Sequence, residues 1–229
     1  MKTVAIIIPV KDEEIGLRYL LENYESSILF DDSNVSFIFV IDGRTSDLSK
    51  KIAINFSNLI IDQNETHGKG AAIRQALQIW FKNKTDLVLF MDADGSYSFD
   101  DAAKIIDALK SGADVVSGSR FLPKKGTPKG MGQLHNFGNR ILSRVSSIIN
   151  KRKITDLCTG LWGFKSNSIA KLELQSSGFD LEAEIAGKVR MAKLNHVEVA
   201  VDWSARKGGT SKLKSFKDGT IILLRILRT

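Results

Sequence analysis

Short apolar runs, rich in β-branched residues, alternate along this chain with stretches of helical spacing. The runs at 4–10, 35–41, 59–61, 87–91 and 114–117 have the length and composition of buried strands. Between them Ile15, Leu17, Leu20 and Leu21, then Ala72, Ile73, Ala76, Leu77 and Trp80, then Ala102, Ile105, Ile106 and Leu109 recur at helical spacing. This alternation predicts an α/β fold with a mostly parallel central sheet flanked by helices. Ligands of such sheets sit beyond the carboxyl ends of the strands, which here means residues 11–14, 42–47, 62–69, 92–96 and 118–121.

After Phe121 the rhythm breaks. Gly126, Pro128, Gly130 and Gly132 mark a lysine-containing loop, and 133–150 reads as a helix. Residues 156–164 read as turn-rich, 181–192 as helical and 197–203 as a strand. A basic glycine loop at 206–211 precedes an amphipathic helix over 216–227. The expected division is a catalytic domain over 1–213 and a C-terminal amphipathic helix over 214–229.

Of 229 residues, 43% are hydrophobic and only Cys158 is a cysteine, which excludes a disordered chain and a disulfide-stapled module. The formal charge of +7 is unevenly placed. Residues 122–154 contain eight Lys and Arg and no carboxylate, and from Trp203 onward seven face only Asp218. These windows carry +14 between them, leaving −7 for the rest, so the chain has an acidic part and a basic part suited to different partners. Carboxylates at 12–14 interrupt any signal-peptide pattern, and the start reads as cytosolic. No apolar run approaches the length that spans a bilayer.

The strongest local signal is Met91-Asp92-Ala93-Asp94-Gly95, where a buried run ends in two carboxylates one residue apart and Gly95 permits a sharp turn. Such acids repel one another beside an apolar strand unless a cation neutralises them, and Mg²⁺ or Mn²⁺ suits carboxylate and phosphate oxygens. A solvated acidic turn is the plain alternative. An EF-hand loop fails because its twelfth position is Ala103. A dehalogenase-type phosphatase would open on such a motif, whereas here three strand–helix units precede it. Gly68-Lys69-Gly70 suits an anion at a helix start, yet it matches neither a Walker loop nor a dinucleotide fingerprint. Asp42 and Asp47 read equally well as turn and cap residues, and Glu13 or Glu14 as helix-start acids.

Taken in order, Pro9-Val10-Lys11-Asp12-Glu13-Glu14, Ile41-Asp42-Gly43-Arg44-Thr45-Ser46-Asp47, Gly68-Lys69-Gly70, Asp92-Ala93-Asp94 and Gly118-Ser119-Arg120-Phe121 resemble the family 2 inverting glycosyltransferases of GT-A fold. Asp156-Leu157-Cys158-Thr159-Gly160, Phe179-Asp180-Leu181-Glu182-Ala183-Glu184 and Arg206-Lys207-Gly208-Gly209-Thr210-Ser211-Lys212 are similar to the dolichyl-phosphate mannose and glucose synthase branch. The pattern looks most like archaeal enzymes that charge dolichyl phosphate for N-glycosylation. It departs from the family at Asp42-Gly43-Arg44-Thr45, where Asp-Asp-Gly-Ser is usual, and this leaves the nucleobase open between UDP- and GDP-sugars.

The resemblance implies transfer of a sugar from a nucleotide-diphosphate sugar to a polyprenyl phosphate. Asp42 would meet the nucleobase, with Pro9, Val10 and Glu13 lining its pocket and Lys69 near the phosphates. Asp92 and Asp94, flanking Ala93, would place Mg²⁺ or Mn²⁺ on the diphosphate. A phosphate monoester is largely deprotonated at neutral pH, so the acceptor needs a cationic cradle more than a strong base. Arg120, Arg206 and Lys212 are the candidates for that cradle, with Asp156 either orienting it or acting as the base-like residue. The basic windows and the terminal helix fit an enzyme peripheral at the cytoplasmic face of a membrane. Without aromatic-interleaved basic motifs, nucleic acid is set aside. A glycan-hydroxyl acceptor, the phosphatase and a non-catalytic nucleotide-binding module are the competing readings, and the sequence leaves the donor sugar and oligomeric state open.

Overall fold

The computed structural model describes residues 2–228 apart from 31–32, 58, 64–66, 81–84, 123–127, 129 and 210–214. The described elements follow the expected alternation: β1 (Val4–Val10), α1 (Glu14–Glu22), β2 (Val35–Asp42), α2 (Ser49–Phe56), β3 (Ile60–Gln63), α3 (Lys69–Trp80), β4 (Leu87–Met91), α4 (Phe99–Lys110) and β5 (Val115–Ser119). They continue through α5 (Gln133–Ile149), β6 (Leu161–Lys165), α6 (Ser166–Ile169), α7 (Leu181–Met191), β7 (His196–Ala200) and α8 (Ser215–Arg228).

The sheet order is β3-β2-β1-β4-β6-β5-β7. Every pairing is parallel except those of β6, which runs antiparallel between β4 and β5. Successive β1 side chains face opposite sides, so Ile6 and Ile8 enter the core shared with α1 and α4, while Ala5 and Ile7 enter the core shared with α3 and α7. Both faces are covered, which is why these strands read as continuous apolar runs rather than alternating ones.

β6 corrects the expectation of a turn-rich segment over 156–164. Turns occupy its first half, but Leu161–Lys165 is a central strand. The strand was masked by Gly163 at its middle, where a Cβ would lie 2.2 Å from Ile105 of α4, so only glycine lets the helix pack down. Because β6 runs backwards, its beginning lies beside the carboxyl end of β4, with Leu161 opposite Met91.

A third, smaller core joins Ile154 and Leu157 to Ala183 and Ala186 of α7 and to Ile222 and Ile226 of α8. The terminal helix therefore docks by one face on α7 and α5, and Ile221, Leu224 and Leu227 stay exposed on another. Among the described residues no helix is long and apolar enough to cross a membrane.

Candidate active site

The carboxyl ends of β1, β2 and β4 converge where the strand order reverses, the position at which open α/β sheets bind ligands. A cleft of about 970 Å³ opens there and continues between α5 and α8. Pro9, Val10, Glu13, Asp42, Lys69, Asp92, Ala93, Asp94, Arg120 and Arg206 all line it. Asp156 does not, and Lys212 lies outside the described residues.

At one end, Asp42 closes β2. Its Oδ1 accepts the backbone N–H of Arg44 and the Arg44 Nε–H, both at 2.9 Å, and Oδ2 accepts Nη2–H at 2.8 Å. These hydrogen bonds hold the carboxyl well below its ordinary range, at about 2. One of the three residues that depart from the family pattern, Arg44, is thus the one that grips Asp42. The N-cap of α2 is Leu48, not Asp47; from one residue earlier Asp47 accepts the N–H groups of Ser49 at 3.0 Å and Glu14 at 2.9 Å and so joins the starts of α2 and α1.

At the centre, both acids after β4 are matched by cations. Lys69 Nζ, at the start of α3, lies 2.7 Å from Asp92 and 2.8 Å from Glu182 at the start of α7. Burial works against this ammonium, but the two carboxylates outweigh it and raise its pKa. Arg206 Nη2 lies 3.2 Å from Asp94, and its Nη1 donates to both oxygens of Glu13 at 2.8 Å. The loop bearing Arg206 is fastened along the acidic turn, with Lys207 N–H donating to the Asp94 carbonyl at 3.1 Å and Ser204 N–H to that of Ser96 at 3.0 Å. The turn itself runs through Gly95 at φ +71°.

Toward α5, Arg120 follows β5. Its Nε and Nη2 donate to the two oxygens of Asp156 at 2.6 and 2.7 Å, and Nη2 also donates to the Cys158 carbonyl at 2.7 Å. Asp156 is fully buried and also accepts from the Arg120 backbone N–H and from Asn139 of α5. The guanidinium lies over the rings of Trp203 and Phe121. Burial pushes the neighbouring Cys158 thiol and Tyr97 phenol up to about 12, so both stay protonated at neutral pH.

Of the three residues expected to form one cradle, the two that are described hold different partners. Arg120 is paired with Asp156, whereas Arg206 is turned to Glu13 and Asp94. Glu182, Arg44 and Asn139 are cleft residues that were not singled out individually. Glu182 and Arg44 stood inside recognised motifs. Asn139 had no local signal, since its role depends on α5 folding back over the 156–158 turn.

Among the described residues no three His, Cys, Asp or Glu side chains cluster as a metal cage. Two strand-end carboxylates on a cleft are nevertheless a suitable protein share for Mg²⁺ or Mn²⁺, which take one or two carboxylates and complete their shells with substrate phosphate and water.

The mostly parallel sheet with carboxylates at its strand ends is shared with solved glycosyltransferases of GT-A fold. Residues 5–172 match the model for glycosyl transferase family 2, and the chain belongs to that family and is a glycosyltransferase. The glycosyltransferase AglJ of Haloferax volcanii is 29% identical over 98% of this chain and 71% of its own length. The dolichol-phosphate mannosyltransferase of Pyrococcus furiosus is 27% identical over 92% of this chain and 59% of its own, so the chain spans about three fifths of that relative. Glucosyl-3-phosphoglycerate synthase of Mycobacterium tuberculosis, solved with Mn²⁺, UDP-glucose and glycerol 3-phosphate, superposes with a TM-score of 0.70 at 15% identity, covering 99% of this chain and 79% of that one.

Proposed function

We propose that this glycosyltransferase moves a sugar, with inversion, from a UDP- or GDP-sugar to a polyprenyl phosphate. The observation that carries the reading is the continuity of the cleft: the acidic strand ends, the buried Arg120 and an apolar groove lined by Leu134, Phe137, Ile141 and Leu223 form one surface. A nucleotide diphosphate, an acceptor phosphate and a polyprenyl chain meet matching chemistry along it in that order. Relatives whose names specify dolichol-phosphate or polyprenol transfer support the acceptor class.

Asp92 and Asp94 would hold Mg²⁺ or Mn²⁺, which when bound neutralises charge on the departing nucleoside diphosphate. Pro9, Val10, Ala93 and Glu13 wall the donor pocket, and Asp42, locked by Arg44, faces the base. Nη1 of Arg120 has no hydrogen-bond partner among the described residues, so its N–H groups are available to an acceptor phosphate. That phosphate oxygen attacks the anomeric carbon as the bond to the diphosphate breaks. Both oxygens of Asp156 are occupied and buried, which favours its orienting role over that of a base. Arg206 adds to the cationic surroundings, and Lys212, outside the described residues, is the further expected cation. Exposed Leu134, Phe137 and Ile148 of α5 and Leu224 and Leu227 of α8, interspersed with Arg140, Arg144 and Arg228, suit peripheral seating on a membrane, with 214–229 as a contact helix and the cytoplasmic face as the expected side.

Thermal unfolding with UDP, GDP and their sugars, with and without Mn²⁺, tests the donor half. One nucleotide family should raise the midpoint only with metal present. A protein indifferent to all of them does not have this donor site.

A further inference from the structure

The acids of the Asp92-Ala93-Asp94 turn are not merely neutralised; each is paired with a cation that grips a second acid outside the turn. Lys69 bridges Asp92 to Glu182, and Arg206 bridges Asp94 to Glu13. Glu182 and Glu13 are both buried, at 7% and 9% exposure, and come from different elements, α7 and the entry to α1. We propose that Glu13 and Glu182 are positioning residues that retain Arg206 and Lys69 at the edge of the site when a divalent ion takes Asp94 and Asp92. This rests on the metal assignment of the proposed function.

The coupling between these groups is electrostatic. Two carboxylates one residue apart beside an apolar strand require positive charge, and without metal Lys69 and Arg206 supply it. A divalent ion competes with both for the same oxygens and repels them. A cation held by one acid only would then have to leave for solvent. Here each exchanges a two-acid position for a one-acid position, and its released N–H donors remain in the cleft that receives the diphosphate. The two cations should therefore oppose binding of the bare ion and favour binding of the ion together with a diphosphate. A simple structural ion pair has no such opposite signs.

The test measures Mn²⁺ binding by electron paramagnetic resonance, first alone and then with UDP or GDP, while thermal midpoints confirm folding. Arg206→Ala, on a partly exposed loop, should bind Mn²⁺ alone about twofold to fivefold more tightly, the worth of one partly exposed ion pair. It should bind the Mn²⁺–nucleoside diphosphate more weakly than wild type. Glu182→Gln leaves Lys69 to Asp92 alone and should weaken binding of Mn²⁺ by itself. Unchanged or weaker binding of Mn²⁺ to Arg206→Ala overturns the inference, as does absence of Mn²⁺ binding in both wild type and that variant. Asp94→Ala separates the two levels: if it keeps wild-type Mn²⁺ affinity, the metal assignment itself is wrong and the inference falls with it.

Discussion

Gly160 and Asp92 leave no space between them: a Cβ on Gly160 would lie 1.9 Å from Asp92 Oδ2. The contact exists because β6 runs antiparallel beside β4, placing the residue before Leu161 against the residue after Met91. The glycine therefore fixes where the first acid of the turn sits.

A methyl group at this position has to displace the carboxylate, since overpacking a close contact costs about 1–3 kcal/mol. Gly160→Ala should lower metal-dependent transfer about tenfold or more and raise the Mn²⁺ concentration needed for half-maximal rate. Initial rates across a Mn²⁺ titration check this, and an unchanged titration would show that Asp92 has freedom the contact denies.

The acidic end of this cleft was legible because its residues follow strands, where position and chemistry coincide in one stretch of sequence. Asp92 and Asp94 stood out at the end of an apolar run, whereas Asp42, at the end of another, read equally well as a turn residue until the ordered motifs were taken together. What sequence could not show was pairing across the chain. Arg206 and Glu13 are 193 residues apart, and nothing local says that the arginine turns to Glu13 and Asp94 rather than to Arg120. β6 was hidden for a different reason, because Gly163 answers a helix packed on the strand and carries no strand preference of its own.

Asp156 should matter for stability through Arg120. Removing one partner of a buried charge pair leaves the other uncompensated, at a cost of about 3–5 kcal/mol. Asp156→Ala is expected to shift the urea midpoint accordingly. Arg120→Lys keeps the charge but loses the two-pronged fork, so its acceptor KM should rise with a smaller stability loss. Steady-state kinetics against acceptor, compared with denaturation curves, distinguish the two roles.

His196 gives the fold an acid-sensitive point. Its ring stacks on Trp162, its Nε2 lies 2.9 Å from Ser117 Oγ, and burial with the charge of Arg152 pulls its pKa down to about 3. The unfolded chain binds a proton near pH 6.5 that the folded chain refuses until about pH 3. Stability from this group is present above pH 6.5 and is lost as pH falls toward 3, at up to about 1.4 kcal/mol per pH unit. His196→Gln should flatten stability over that window in denaturation curves, and an unaltered slope would place the acid sensitivity elsewhere.

The exposed apolar side chains of α5 should serve the lipid and not the chemistry. Phe137 is 64% exposed, so Phe137→Asp is expected to leave the thermal midpoint within a degree or two. Its co-sedimentation with anionic liposomes should fall, and the loss of transfer should be larger for long-chain than for short-chain polyprenyl phosphates. Equal losses with both acceptors would remove α5 from the lipid contact.

The cleft is expected to unite a nucleotide sugar with a lipid phosphate. The most direct measurement supplies labelled UDP- and GDP-sugars with Mn²⁺ and offers polyprenyl phosphate, the matching unphosphorylated polyprenol, or a free glycan. The predicted result is label in an organic-phase glycosyl phosphodiester with the phosphate acceptor alone, reduced at least tenfold in Arg120→Ala. Label appearing on the glycan, or on the polyprenol as readily as on its phosphate, would contradict the account.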